Sequence, residues 1–265
     1  MSKVAVIAGE GRLAPAVVGA LDAPLVFALD GLNPEVAATP FRLERLIPFL
    51  DQLNDDGVEK VVFAGAIRRP RLEPELFDPR TMQLVPRIVA AMQTGDDAAL
   101  REVLAVFEES GLSVVAVDQI VPSLVPQAGI LAGEPSGADK KDVEAAAQLL
   151  AATGHLDIGQ GTVVAQGLCM AMEALPGTEA MLDFVSRYRD LRPNPKGAKG
   201  VLYKAPKPGQ DRRIDLPTIG PDTVRQAAAA DLAGIAWEAG GVILLERDRT
   251  IADAEAAGMF LWARG

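Results

Sequence analysis

The chain has little of the side-chain chemistry on which many hydrolases and metalloproteins depend. Its 265 residues include one cysteine, Cys169, and one histidine, His155. A single cysteine excludes an intramolecular disulfide and any cysteine-based metal site, and it indicates a cytoplasmic protein. We expect Cys169, in the apolar stretch Leu168–Met170, to be buried and inert. No convincing Ser-His-Asp set can be assembled, and a histidine after Gly154 at a helix end is more typical of the surface than of catalysis.

Long apolar runs and a positive charge balance are also absent. No apolar run approaches the ~20 residues that span a bilayer, and the opening Val4–Ala8 is too short for a signal peptide and indicates a strand. The chain has 36 acidic and 26 basic side chains, a formal net charge of −10. This balance argues against a nucleic-acid partner and against electrostatic docking on anionic lipid, unless a local basic segment provides it.

The pattern of apolar segments predicts an α/β protein of two domains. Strands alternate with helices in the first half, which indicates a Rossmann-like N-terminal domain with a parallel sheet over residues 1–130. Proline and glycine are concentrated at 121–137, where we place the domain boundary. Residues 131–265 are then expected to form a second, mixed α/β domain with catalytic function. The expected strands of the two halves are Val4–Ala8, Leu25–Leu29, Lys60–Ala64, Leu112–Val117, Gly161–Gly167, Gly200–Tyr203, Ile235–Trp237, Val242–Leu245 and Met259–Trp262.

Two glycine turns follow strands of the first half. Gly9–Ala14 fits the pattern G-x-G-x-x-A, and Asp30 follows the next strand, as in dinucleotide-binding folds. The same turn fits better with another nucleotide or with no ligand, because glycines are common after the first strand of any doubly wound sheet. Gly65 ends a buried strand, so Arg68 and Arg69 behind it are placed to reach a phosphate or a ribose, or else lie on the surface.

A basic segment stands out against the acidic chain. Residues 192–213 contain one acid, Asp211, and seven basic residues, which are Arg192, Lys196, Lys199, Lys204, Lys207, Arg212 and Arg213. A lone carboxylate, Asp215, follows beside the stiff Leu216-Pro217. Cations next to one carboxylate on a rigid loop suit phosphoryl chemistry, while a solvated loop with a chance excess of lysine is the alternative.

The segment Lys204-Ala-Pro-Lys207-Pro, Gln210, Arg213-x-Asp215-Leu-Pro-Thr218-Ile-Gly220 resembles one enzyme family. It is similar to the LpxI type of UDP-2,3-diacylglucosamine pyrophosphatase. Supporting matches span most of the chain in order: Ile7–Leu13, Phe63–Gly65 with Arg69-Pro70, Gly95–Ala98, and Leu156–Gly161. Ala66 departs from the pattern, since some members carry a polar residue such as asparagine there.

The resemblance implies hydrolysis of UDP-2,3-diacylglucosamine to UMP and 2,3-diacylglucosamine 1-phosphate in lipid A synthesis. It also implies Mg²⁺ or another divalent cation, a homodimer, and transient contact with the inner membrane face to take up the lipid. The family's essential aspartate falls on Asp215, which we expect to be catalytic and to bind the metal. Lys204, Lys207 and Arg213 are the expected catalytic cations, and the expected substrate-binding residues are Gly9, Gly11, Gly65, Arg69, Asp157, Gln160 and Thr218.

Two other functions remain open at this point. An NAD-dependent oxidoreductase would use Gly9–Ala14 and Asp30, but it lacks a proton donor near a hydride site and leaves Lys204–Gly220 unexplained. A non-catalytic module that binds a nucleotide or a lipid is the second alternative.

Overall fold

The computed structural model describes residues 3–67, 71–93, 96–156 and 158–265, without the side chains of Asp96, Asp97 and His155. The chain forms two compact units, Met1–Pro122 and Ser123–Gly265. The predicted boundary at 130/131 lies inside a strand, Gly129–Ala132, that joins the sheet of the second unit. The expectation of a parallel α/β unit followed by a mixed α/β unit is confirmed.

The N-terminal unit is built on a fully parallel sheet. Its strands are β1 (Lys3–Ala8), β2 (Leu25–Leu29), β3 (Thr39–Phe41), β4 (Val58–Ala64) and β5 (Ser113–Val115). They lie in the order β3-β2-β1-β4-β5, so the direction of winding reverses between β1 and β4. Ligands of such sheets bind outside the carboxyl ends of the strands at this reversal.

Helices and aromatic side chains cover this sheet. The helices are α1 (Leu13–Val18), α2 (Leu46–Asp55), α3 (Pro79–Met82), α4 (Val85–Met92), α5 (Asp96–Glu109) and α6 (Val117–Ile120). Phe49 on α2 stacks on Phe41 and meets Phe27 and Phe107 edge-on, which joins α2, α5 and two strands in one core. The predicted strand Leu112–Val117 is shorter than expected, because α6 begins at Val117.

The second unit carries a six-stranded mixed sheet. Its strands and helices are β6 (Gly129–Ala132), α7 (Gly137–Thr153), β7 (Gly161–Ala165), β8 (Leu168–Met172), α8 (Gly177–Tyr188), β9 (Val201–Lys204), β10 (Thr218–Ile219), α9 (Pro221–Ala229), β11 (Gly234–Glu238), β12 (Ile243–Leu244), α10 (Arg247–Ala256) and β13 (Phe260–Arg264). The order is β6-β13-β11-β9-β7-β8, with β9, β11 and β13 parallel, β7 antiparallel to β9, and β8 antiparallel to β7. Strands β10 and β12 pair separately.

The two faces of the second sheet bury different side chains. One face packs Leu202 and Trp237 with Leu182 of α8 and Val224 of α9. Helix α7 covers the other face, and its Ser136–Asp139 capping box satisfies the first backbone N–H groups. Because β9 and β11 are central and buried, the position of their carboxyl ends is fixed.

Strand β8 lies at the outer edge of this sheet, and there the prediction for Cys169 is wrong. The cysteine is exposed, although its neighbours in sequence are apolar. An edge strand has a partner on one side alone, so an apolar sequence there does not ensure burial. Among the residues that the structure describes, no helix is both long and apolar enough to cross a membrane.

Candidate active site

The carboxyl end of β9 lies beside the start of β7 and the end of β8. Lys204 is the last residue of β9, and it pairs with Gly161, the first residue of β7. Glu173 directly follows β8, and its N–H donates to the carbonyl of Gly161 at 2.8 Å. Since β7 runs antiparallel to both neighbours, its start and their ends meet at one edge of the sheet. This is the edge at which open α/β sheets bind ligands.

The Lys204 side chain is buried, with 6% of its surface exposed. Its Nζ donates to Oγ1 of Thr178 at 2.7 Å and lies 3.5 Å from Oε2 of Glu173. Burial lowers the pKa of the Lys204 ammonium, while Glu173 and then Asp215 oppose that shift by favouring the charged form. The Lys204 Nζ is therefore held in one position by Thr178 and Glu173, and the Asp215 carboxylate also acts on it.

Asp215 is held by two side-chain amides. Its Oδ2 accepts from Nε2 of Gln160 at 3.3 Å and from Nε2 of Gln210. Gln160 also donates to Oε1 of Gln210 at 2.9 Å, and the same oxygen accepts the backbone N–H of Lys207 at 2.8 Å. The structure thus brings together Gln160, Lys207 and Asp215, three of the residues that the sequence proposes for the site. It adds Gln210, which the motif contains but to which sequence reasoning assigned no role.

The basic segment is largely neutralised by acids from elsewhere in the chain. Buried Arg192 binds Oδ2 of Asp231 at 2.7 Å, and Lys199 binds the other oxygen at 2.9 Å. Arg192 and then Lys199 lower the pKa of the Asp231 carboxyl. The local excess of lysine and arginine in the sequence is therefore not a broad anion-binding surface.

Arg212 and Arg213, which are adjacent in this segment, also form ion pairs. Arg212 binds Glu238, at the end of β11, at 2.6 Å. Arg213 donates through Nε and Nη2 to both carboxylate oxygens of Asp211, at 2.9 and 2.7 Å. Arg213 must therefore leave or share this carboxylate if it binds a phosphate.

Thr218 lies apart from the amide network in the described contacts. It is half-buried on β10, and its Oγ1 donates to the carbonyl of Leu216 at 3.4 Å. Arg69 and Asp157, which the sequence also predicts to bind substrate, lie outside the described residues.

In the N-terminal unit, the glycines at the reversal of the sheet pack against each other. A Cβ on Gly9 would lie 2.5 Å from the carbonyl oxygen of Ala66, and one on Gly65 would lie 2.7 Å from the carbonyl carbon of Gly9. Backbone hydrogen bonds between Glu10 and Ala66 join the two turns. Gly11 differs, because its φ of +87° requires glycine while the space around it is open.

Two observations do not favour a dinucleotide at this turn. Helix α1 has six residues, too short to contribute a strong helix dipole. Asp30, which would bind the ribose, forms an ion pair with Arg42 at 2.6 Å.

The described residues contain no group of three or more histidine, cysteine, aspartate or glutamate side chains placed to hold a metal ion. Asp215, beside the amides of Gln160 and Gln210, still fits a Mg²⁺ ion that takes one carboxylate from the protein. Mg²⁺ is often bound through one or two carboxylates together with waters and substrate phosphates, rather than in a cage made by the protein.

Comparisons with known proteins cover both units. Residues 3–124 match the family model of the LpxI N-terminal domain, and residues 127–262 match that of the LpxI C-terminal domain. The UDP-2,3-diacylglucosamine pyrophosphatase LpxI of Caulobacter vibrioides is 38% identical over 211 residues. That alignment covers 79% of this chain and 75% of the relative.

Proposed function

This chain belongs to the LpxI family, and we propose that it performs pyrophosphate hydrolysis with the network around Lys204 and Asp215. The reaction is hydrolysis of UDP-2,3-diacylglucosamine to UMP and 2,3-diacylglucosamine 1-phosphate in lipid A synthesis. The observation that supports this site best is a buried lysine and an oriented carboxylate that interact at one sheet edge.

The chemistry requires a positioned water and neutralisation of phosphate charge. A water oxygen bonds to one phosphorus, the bridging P–O bond breaks, and the departing phosphate keeps the electron pair. In this proposal Asp215 orients the water and accepts its proton, because the amides of Gln160 and Gln210 fix the carboxylate. Lys204 stabilises negative charge on the phosphates, assisted by Lys207 and by Arg213 released from Asp211.

Asp215 is the residue that would hold Mg²⁺. When bound, the ion would neutralise phosphate charge and lower the pKa of its bound water. Lys204 and the two glutamines would keep their roles beside it, since their contacts do not depend on a metal.

The remaining predicted contacts are proposed for substrate binding. Gly11 leaves open space next to the turn after β1, which suits close approach of a nucleotide to the backbone of Gly9 and Gly65. Gln160 and Thr218 are the described candidates in the second unit. Arg69 and Asp157 are proposed on the family resemblance alone.

We also propose that the protein is cytoplasmic and makes transient contact with the inner membrane through helix α4. This helix is mostly apolar, yet none of its residues is fully buried. Its only charge, Arg87, binds Glu102 and, at 2.8 Å, Glu109 of α5, so the charge is neutralised within the helix pair. Val89 on α4 and nearby Met82 are exposed. An apolar helix whose single positive charge is paired suits entry among lipid chains, where the lipid substrate resides.

The homodimer is likewise a proposal. The two edge strands of the second sheet, β6 and β8, each expose a large apolar side chain, Ile130 and Leu168. Exposed apolar edge strands commonly pair with another chain. Light scattering of the purified protein would measure the mass, and a monomer at micromolar concentration would refute this assembly.

Phosphorus NMR of the purified protein with the UDP-linked diacyl lipid tests the reaction directly. We expect the pyrophosphate signals to be replaced by those of UMP and a lipid 1-phosphate, with faster turnover when Mg²⁺ is present. Binding without turnover in the presence of Mg²⁺ would indicate a binding module instead. Saturable NADH binding with enhanced fluorescence would support the oxidoreductase alternative.

A further inference from the structure

Glu173 lies against Lys204 although no motif assigns it a role. Its carboxylate is largely buried, with 14% of the side chain exposed. It accepts a hydrogen bond from Oγ1 of Thr178 at 2.9 Å, and it lies 3.5 Å from Nζ of Lys204. A buried ammonium is costly unless a carboxylate and hydrogen bonds compensate its lost hydration, so this contact favours the charged form of Lys204 and holds its Nζ in place.

The direction of each hydrogen bond in this group is fixed by chemistry. A lysine ammonium can only donate, and a carboxylate can only accept. The Thr178 hydroxyl must therefore accept from Lys204 and donate to Glu173, which gives one ordered chain of donors. The ammonium has three N–H groups, and Thr178 and Glu173 engage two of them.

The loop before β7, which contains Gly159, packs closely against Glu173. A Cβ on Gly159 would lie 2.0 Å from the carbonyl oxygen of Glu173, and one on Gly161 would lie 2.5 Å from its Oε2. The N–H of Glu173 also donates to the carbonyl of Gly161 at 2.8 Å. Both glycines thus leave room for the backbone and carboxylate of Glu173, which ties the glycine-rich turn to the lysine.

We propose that Glu173 is a positioning residue for the hydrolysis: with Thr178 as the connecting hydroxyl, it holds the buried Lys204 ammonium so that the third N–H meets a substrate phosphate. This inference rests on the proposed catalytic role of Lys204. Glu173 acts through the lysine and touches no reacting atom.

The experiment is a double-mutant cycle of Glu173→Gln and Lys204→Met, with kcat and KM measured by UMP release and folding followed by thermal melting. We expect Glu173→Gln to lower kcat about 10²-fold with KM changed less than threefold. A misplaced Lys204 stabilises the transition state less, but it changes the binding of the ground-state substrate little. In the Lys204→Met background the same change should lower kcat less than threefold, since no ammonium remains to position.

Thr178→Val and Thr178→Ser keep the inference testable if Glu173→Gln does not fold. Valine preserves the shape and removes the hydroxyl, so kcat should fall at least tenfold, while serine should restore it to within threefold of the wild type. Equal losses for Glu173→Gln with and without Lys204 would overturn the inference, as would a folded Glu173→Gln enzyme with wild-type kcat. Absence of wild-type turnover, or full activity of Lys204→Met, would instead refute the proposed function of the site.

Discussion

At the scale of single residues, the orientation of Asp215 depends on two amides, one distant in sequence and one nearby. Gln160 is 55 residues away and Gln210 is five residues away, and both donate to the same oxygen, Oδ2. Because Oδ2 is occupied by amides, the carboxylate has a defined rotation. Such orientation by neighbours matters for a group that must meet a water or a metal ion in one geometry.

Asp215→Ala should abolish hydrolysis and leave a folded protein that binds substrate. Alanine can neither orient a water nor hold Mg²⁺, whereas Lys204 and the first unit remain for binding. Turnover and thermal melting should be measured on one preparation. We expect kcat to fall by at least about 10³-fold, in the range seen when one essential group of a catalytic set is removed.

Asp183→Ala is the matched control for this variant. Asp183 is an exposed aspartate on α8 with a surface ion pair to Arg187, and its removal should change kcat less than about twofold because such pairs contribute little. An Asp215→Ala protein that melts early but keeps near-normal specific activity would make Asp215 a turn-stabilising residue.

Arg213 and its neighbour Arg212 provide a second comparison at this scale. Both are arginines in ion pairs, with Asp211 and Glu238 respectively. We expect Lys207→Ala and Arg213→Ala to lower kcat/KM about 10²-fold with little change in melting temperature, whereas Arg212→Ala stays near the wild type. Steady-state kinetics on the three variants test this prediction. Wild-type kcat/KM in all three would show that the segment is a solvated surface loop without a role in catalysis.

The sequence identified the motif residues of the site but not every residue that holds them. Lys204 and Asp215 could be found because they stand in a local pattern. Thr178 could not, because it reaches Lys204 across 26 residues and belongs to no recognisable motif, while Glu173, after an apolar strand, could from the sequence face the cleft or pair with one of the nearby lysines. The same limitation made Arg192 look like a ligand-binding cation, although Asp231 neutralises it in the fold.

At the scale of elements, strands with continuous apolar runs were predicted best. Val4–Ala8 and Leu25–Leu29 correspond to β1 and β2 nearly residue for residue, because strands of a parallel sheet covered on both faces are apolar throughout. Strand β3 was missed, since its three residues include Pro40 and show no periodicity. Its strand character arises from pairing with β2, which a local pattern does not contain.

The loop before β7 leads to a prediction about glycine. Gly159→Ala should destabilise the protein by about 2–4 kcal/mol, because a Cβ would overlap the carbonyl of Glu173 and the residue has a φ of +31°. Gly167→Ala is the control, with a φ of +79° but open space around it, and should cost about 1 kcal/mol from backbone strain alone. Urea unfolding measures both, and equal losses would show that Glu173 moves aside.

Helix α4 can be tested by vesicle sedimentation. Val89→Asp should lower partitioning onto phospholipid vesicles about tenfold, since burying one valine side chain is worth roughly 1.5 kcal/mol and aspartate resists burial. The control is Leu191→Asp, which changes an exposed leucine of the second unit and should leave partitioning unchanged. Equal sedimentation of both variants and the wild type would show that α4 does not contact the membrane.

At the scale of the whole molecule, the acidic net charge bears on how the protein would reach a lipid substrate in a bilayer. A chain of net charge −10 gains nothing electrostatically from an anionic bilayer. Contact with a lipid must then depend on apolar surface, and α4 offers such a surface because Arg87 is neutralised by α5. Binding of this kind should persist at high salt, unlike the binding of a basic segment.

The acyl chains of the substrate should matter for turnover itself. UDP-glucosamine carries the same pyrophosphate, so an enzyme that recognised the nucleotide alone would hydrolyse both compounds equally. Binding energy from remote chains can position the phosphates against Lys204 and Asp215. Burial of only four methylene groups is worth about 3 kcal/mol, so we expect kcat/KM to fall at least about 10²-fold without the chains.

UMP release measures both substrates on one scale, with the diacyl lipid kept dispersed in detergent so that access to a bilayer does not limit the rate. A monoacylated substrate should lie between the two, because it retains part of the apolar contact. Val89→Asp should leave kcat on the dispersed lipid unchanged, which separates recognition of the chains at the site from docking on the membrane. Equal kcat/KM for UDP-glucosamine and the diacyl lipid would show that the protein hydrolyses nucleotide sugars without regard to their lipid.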